Sequence, residues 1–340
     1  MRRVAQLAVL MFLLSGCTGS QATVQSGPTP SSEQPGLKGD TWTWDGASWH
    51  REAATGPSSR YLASLAFDAK HKVYVMFGGQ TAKGSSDETW TWDGSAWKAA
   101  SPVHKPPPRR AAGMAYDPAH QVVVLYGGLV EDRNEGDPGG DTWTWDGVDW
   151  TQIDVGPGVP GKRDGPQLIA AGNRVVLFGG HYVNVRYFGD AWTWGGKTWS
   201  RIDKDPKPPG RGNPAVAWDP SDSSLFVYGG SGFKASAGIG AQGEALGDGW
   251  SLTGARWTQL KGSGPPALAY ANAIWDAANK RDIVLLGMPC PKPSDSAWAW
   301  DGNAWSRLAA PGMSARWGAA SAQDADGKAL LFGGSDEAGC

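Results

Sequence analysis

The sequence predicts an all-β chain of six four-stranded antiparallel sheets, on three observations. A ten-residue stretch recurs six times, apolar runs ending in glycine alternate with it, and the two series share one period. The stretch reads DTWTWDGVDW at Asp141–Trp150. Clear copies are Asp40–Trp49, Glu88–Trp97 and Asp190–Trp199, and looser ones are Asp248–Trp257 and Ser296–Trp305. The apolar runs are Val73–Gly79, Val122–Gly128, Val175–Gly180, Leu225–Gly230 and Ala329–Gly334. Ile283–Gly287 is a degenerate sixth, read with Gly287 as the first glycine of its pair and Met288 in place of the second. Both series recur about every 50 residues, the spacing of a four-stranded repeat unit.

Each strand follows from its residues. Thr-Trp-Thr-Trp alternates small and large side chains, the period-two pattern of a strand with two different faces. Asp-Gly supplies a turn, because glycine tolerates positive φ. The closing Trp opens the next strand, so each copy is a hairpin, c–d. The apolar run is a buried strand b, preceded by a short strand a and a polar turn, as in Ala111–His120. The chain opens on a c–d hairpin (Thr41–Trp49) and finishes on an a–b pair (Gly318–Phe332). These halves complete one unit, which closes a six-bladed ring, a β-propeller, and removes free sheet edges between first and last blades.

The glycine pairs, the tryptophans of strands c and d, and an Arg before strand a (Arg60, Arg109, Arg163, Arg211 and Arg316) together resemble the kelch repeat. Over residues 40–334 the chain is similar to the propeller of galactose oxidase and to bacterial periplasmic kelch proteins. Blade five departs from the pattern, with Leu268 at the Arg position. WD repeats have a shorter period and a Gly-His partner not seen here. Sialidase Asp boxes place one residue between Asp and Gly, whereas Asp93 and Gly94 are adjacent.

Residues 1–17 form a targeting segment: Arg2 and Arg3, then an apolar Val4–Leu14 too short to span a bilayer. Leu14-Ser15-Gly16-Cys17 resembles a bacterial lipobox, which implies cleavage before Cys17, its lipidation, and a membrane anchor through acyl chains such as palmitate. The alternative is a plain secretory signal peptide. Residues 18–39, rich in Ser, Thr, Pro, Gly and Gln, read as a flexible tether, and 40–340 as the propeller. The expected location is the cell envelope: the outer side of the cytoplasmic membrane, or the outer membrane in a Gram-negative source.

Cys290 and Cys340 both follow strand b, in blades five and six, on one face. An exported location permits a disulfide between them, worth roughly 4 kcal/mol on the chain-entropy view. Two free thiols are the alternative.

A net charge of −2 over 340 residues gives no basic face, so no nucleic-acid partner is expected. With 20 Trp, each burying roughly 150–250 Å², the packing between sheets supplies the core. The tight a–b and c–d turns fall on one face, and the b–c loops and d–a links on the other, where varied loops favour binding. The repeated Arg read either as structural ties or, for Arg109, Arg163 and Arg211, as a cationic rim for an anionic or sugar ligand. Gly179–Gly189 gathers His181, Tyr182, Arg186, Tyr187 and Phe188, suited to stacking a sugar or peptide or to folding over the blade. The loop Leu129–Gly140 carries Glu131, Asp132, Arg133, Glu135 and Asp137 without a calcium-loop spacing. Ser231–Gly247, with Phe233, Lys234 and Glu244, is the longest loop and is placed to cover the channel.

The chain lacks the His, Tyr and cross-linked Cys set of the galactose oxidase copper site, so copper oxidase activity is not expected, and no cofactor is implied. No hydrolase, zinc-protease or phosphate-loop motif occurs. Two functions remain. The first is an anchored lipoprotein that binds or scaffolds a protein or glycan on its loop face. The second is a sugar-active enzyme such as a sialic acid mutarotase, with rim Arg and Glu131 or Glu244 as candidates.

Overall fold

The alternating Thr-Trp-Thr-Trp segments form short strands, and the Asp-Gly turns beside them are held by their own aspartate. Asp93 Oδ1 accepts from the backbone N–H of Ser95 and Ala96, both at 3.0 Å, while Gly94 takes φ 96°. A computed structural model of the chain describes residues 36–131, 138–156, 158–183, 185–233 and 243–338. The targeting segment, Cys17, residues 18–35 and Cys340 lie outside the described residues, as do Asp132, Arg133, Glu135, Asp137 and Lys234.

Among the described residues the ordered structure is all β, and six sheets have four antiparallel strands in the order a-b-c-d. Sheet 1 comprises Ser64–Asp68, Val73–Phe77, Thr89–Trp92 and Trp97–Ala99. Sheet 2 comprises Gly113–Asp117, Val122–Tyr126, Thr142–Trp145 and Trp150–Ile153. Sheet 3 comprises Gln167–Ala171, Arg174–Phe178, Ala191–Trp194 and Trp199–Arg201. Sheet 4 comprises Ala215–Asp219, Ser224–Tyr228, Gly249–Thr253 and Arg256–Gln259. Sheet 5 comprises Asn272–Asp276, Arg281–Leu285, Ala297–Trp300 and Trp305–Arg307. Sheet 6 joins the two ends of the sequence: Ala320–Gln323 and Ala329–Phe332 pair with Thr41–Trp44 and Trp49–Glu52, with Thr41 opposite Phe332. The architecture is β-propeller-like. Leu37 and Lys38, at the end of the expected tether, are already built in: Leu37 bridges Ser335, and Lys38 N–H donates to Gly334 O at 2.9 Å.

The a strands of successive sheets pack on one another, and that of sheet 6 packs on that of sheet 1. Tryptophans fill the space between sheets. The second Trp of strand c tilts against the Trp of strand d in the same sheet, as Trp145 does against Trp150 at 5.4 Å. The strand d Trp also meets the end of the preceding sheet's strand b edge-on, as in Phe77–Trp150 and Tyr126–Trp199, both at 5.3 Å. Its indole N–H reaches a Thr of that preceding sheet: Trp97 to Thr41, Trp150 to Thr89 and Trp199 to Thr142, at 2.9–3.1 Å. In sheet 3 the matching residue is Ala191, and Trp257 Nε1 has no partner.

Two cycles of backbone hydrogen bonds link the sheets. In the outer one, the second glycine of each pair donates to the carbonyl at the next sheet's Arg position: Gly79 to Arg109, Gly128 to Arg163, Gly180 to Arg211, Gly230 to Leu268, Gly287 to Arg316 and Gly334 to Arg60, at 2.8–3.0 Å. A Cβ on the first glycine would collide with that same carbonyl, at 2.4 Å for Gly78 and 2.3 Å for Gly333. These contacts correct the register expected for sheet 5. Gly287 is the second member of its pair, and the first position is Leu286, held at φ 62°.

In the inner cycle, Leu62 donates to Gly318, Ala111 to Leu62, Gly165 to Ala111, Asn213 to Gly165, Tyr270 to Asn213 and Gly318 to Tyr270, at 2.7–3.1 Å. All six residues have positive φ, between 49° and 63°. Four are not glycine, and such a conformation costs an L-residue roughly 1–2 kcal/mol. The cycle satisfies each of these six backbone donors and borders a narrow cavity of about 100 Å³.

Candidate functional site

Five of the repeated motifs are occupied entirely with holding themselves together. Arg60, Arg109, Arg163, Arg211 and Arg316 are at most 1% exposed. Each donates to the carbonyl of the first glycine of its own sheet's pair, as Arg109 does to Gly127 O at 2.9 Å. Each also grips the acid that opens strand c. Arg109 holds Asp141 through two bonds of 2.9 and 2.8 Å, Arg211 holds Asp248 at 2.9 and 2.8 Å, and Arg163 meets Asp190 at 2.8 Å. The same carboxylates accept the indole N–H of the next Trp, as Asp141 does from Trp143 at 2.7 Å. Burial alone would push the Asp40, Asp141 and Asp248 carboxyls up. Hydrogen bonds and the charges of Arg316, Arg109 and Arg211 outweigh it and hold them below the ordinary 3.8. The expectation of a cationic rim at Arg109, Arg163 and Arg211 is thus corrected: these guanidinium groups lie inside the sheets, with their donors committed to fold contacts.

The residues that differ from sheet to sheet come directly after those five arginines and after Leu268, which takes the arginine's place in sheet 5. They are Tyr61, Arg110, Asp164, Gly212, Ala269 and Trp317, each one residue before a member of the inner cycle, on the loop face. Trp317 sits edge-on to Tyr61 at 5.0 Å and tilted against Tyr270 at 5.1 Å. Arg110 donates to Gln80 Oε1 at 2.6 Å. Burial, then the charges of Asp164, Tyr187 and Tyr61, raise the Tyr270 hydroxyl to about 12, with Arg110 acting against them. The phenol therefore lies within the field of groups from four other segments of the chain, and the loop-face side of the inner cycle carries a crown of aromatic and charged side chains.

Asp164 and His181 sit at its edge. Their backbones bridge, and His181 Nε2 lies 3.3 Å from Asp164 Oδ2. Asp164 Oδ1 and His181 Nδ1 are buried with no hydrogen-bond partner. Burial raises the Asp164 carboxyl, partly offset by His181 and Arg110. Tyr187 stacks on His181 at 5.3 Å and 9°, and Phe233 closes on Tyr187 at 4.9 Å.

The expected cluster at 181–188 is therefore split in two. His181 and Tyr187 are packed at the edge of the crown, while Phe188 lies beneath the guanidinium groups of Arg163 and Arg186 at 4.0 and 4.9 Å. Tyr182 and Arg186, with Val183 and Val185, are left exposed on a small hairpin. Glu131 is spent on the Ser85 backbone N–H, at 2.5 Å, and Glu244 is exposed on a two-residue strand. Cys290 is disulfide-bonded; Cys340, its expected partner, lies outside the described residues. Among the described residues no group of three His, Cys, Asp or Glu side chains is placed to hold a metal ion.

Sequence reasoning does not single out Tyr61, Arg110, Asp164, Tyr270 or Trp317. The signal is present: the residue after the repeated Arg never repeats. No family model matches the chain, and no curated protein matches it. The kelch resemblance rests on the residues themselves.

Proposed function

We propose that the six sheets are the blades of a closed kelch-type propeller, carried on a lipid anchor at Cys17, and that its loop face binds a protein or glycan outside the cytoplasm. Two cycles of six hydrogen bonds and the pairing of Thr41–Trp44 with Ala329–Phe332 support the ring. The lipobox-like Leu14–Cys17 supports the anchor. The observation that carries binding is the crown: a loop-face position with a different residue in every sheet, of which Tyr61 and Trp317 meet beside Tyr270, near a hairpin with exposed Tyr182, Val183 and Val185. Rigid aromatic anchors with an adjacent Arg are what interface hot spots are made of.

The test is photo-crosslinking in cells of the source organism. A crosslinker at Tyr182 should capture a partner, whereas one at Val148, exposed on the tight-turn face, should not. Equal capture from both positions, or none from Tyr182 together with no hit on a glycan array, refutes the reading. Cys17→Ser should move the protein from membrane to soluble fraction.

A second reading, a sugar-active enzyme of the mutarotase kind, is favoured by Arg110 beside the Asp164–His181 pair: a cation for a carboxylate next to an acid with a raised proton affinity. It requires that the chain speed anomer equilibration and that Asp164→Asn abolish the effect.

A further inference from the structure

Strand b of sheet 5 breaks the repeat at a buried position. Asp282 pairs with Trp300 of strand c. The residues in the same place elsewhere are Tyr74, Val123, Val175, Leu225 and Ala329, all apolar or aromatic and all buried. Asp282 is only 3% exposed, and its Oδ1 has no hydrogen-bond partner. Burial drives its carboxyl well above the ordinary range, and the nearby charges of Asp219 and Asp222 push it further. An acid in a core position lowers stability unless something compensates it, and side chains that break a local rule at such expense concentrate at functional sites.

Asp282 lines a cleft of about 390 Å³ between sheets 4 and 5. The cleft opens by the tight turns that carry Asp222 and Asn303, on the face opposite the crown. Asp219 and Asp222 share it, and its wall carries the rings of Phe226 and Trp300 and the hydroxyls of Ser251 and Thr258. Three carboxylates against the single cation Lys261 leave the lining with an excess of negative charge, which favours a positively charged guest. A bare ion does not fit, since no three acidic or imidazole groups among the described residues converge on one point. The guest must therefore carry its charge on a body that also meets aromatic faces and hydroxyl groups. Lys261 lines the cleft as well and offsets one of the three carboxylates.

We propose that this cleft binds a hydroxylated primary amine of amino-sugar size, its ammonium seated against Asp282 and its ring against Trp300. The inference is independent of the loop-face reading. The experiment is calorimetric titration of the full chain with glucosamine and with N-acetylglucosamine, which keeps the ring and removes the charge. Glucosamine should bind one to one and the acetylated sugar about tenfold more weakly or worse, as expected for losing a charged hydrogen bond. Asp282→Asn should weaken glucosamine by a similar factor. Asp282→Leu, which restores the repeat, should abolish binding while melting higher than the parent, so loss of fold is not the cause. Val148→Ala, on an exposed tight turn of sheet 2 outside both the cleft and the crown, should leave the titration unchanged. Equal binding of the two sugars, indifference to Asp282→Asn, or no binding in the millimolar range overturns the proposal. Binding that emerges only in Lys261→Ala overturns it too, by assigning the cleft to that internal ammonium.

Discussion

At the scale of single residues, the repeat acts as an internal control, because five or six copies of each contact can be compared. Trp97, Trp150 and Trp199 each donate to a Thr, and Trp257 faces Ala191 with its N–H buried and unmet. Ala191→Thr should complete the fourth bond and stabilise the protein by about 0.5–1.5 kcal/mol, seen as a rise in the urea midpoint at unchanged slope. No gain, or a loss, would mean that the extra methyl group overpacks a site where Ala191 is fully buried. Asp282 gives a prediction with a definite sign in pH. Its folded proton affinity is raised, so the folded state binds the extra proton and stability falls as pH climbs above the ordinary aspartate value of 3.8. The stabilisation of Asp282→Leu over the parent should therefore grow between pH 4 and pH 8. A gain that is flat with pH would mean the carboxyl keeps its ordinary affinity.

At the scale of the sheet, the Arg–acid pair is best understood from the one sheet that lacks it. Sheet 5 has Leu268 in place of Arg and Ser296 in place of the acid, and Leu286 in place of the first glycine, whose carbonyl the Arg would hold. The three changes belong together, since a lone buried charge is worse than none. Arg109→Leu or Asp141→Ser alone should cost about 3–5 kcal/mol, and the double variant, which copies sheet 5, markedly less than the sum. A double-mutant cycle by chemical denaturation measures the coupling. This sheet also marks how far the sequence could be read. The strands of the other five were legible because an intact Gly-Gly pair fixes the phase of the hairpin beside it, even in sheets 3 and 4, where Gly195-Gly196 and Thr253-Gly254 replace Asp-Gly. In sheet 5 one glycine remained of two, and a Leu at positive φ is not what composition leads one to expect. Matching Gly287 to the wrong member of the pair shifted the register by one and hid Asp282 behind an apolar run. The crown was hidden for a different reason: the eye-catching residue was the repeated Arg, and the informative one was its neighbour.

At the scale of the whole molecule, the buried carboxylates act in concert. Asp40, Asp141 and Asp248 keep depressed proton affinities in the folded state. Their contribution is complete above the ordinary value of 3.8 and is lost as pH falls through the folded values below it. Acid unfolding should accordingly be a single transition below about pH 4, followed by tryptophan emission, with Asp141→Asn already weakened at neutral pH. Separate transitions for different sheets would contradict the mutual dependence that the two hydrogen-bond cycles impose. Those cycles carry one more consequence, for descent. A solenoid can lengthen by duplicating a unit, because each unit touches only its neighbours and the row stays open. Here the carbonyl of the sixth participant is already claimed by the first. A seventh copy would have to force apart a joined pair and change the turning angle at every other member. For the closed ring proposed above, adding one unit is therefore a harder route than it is for an open row, and novelty falls to the residues that do not repeat.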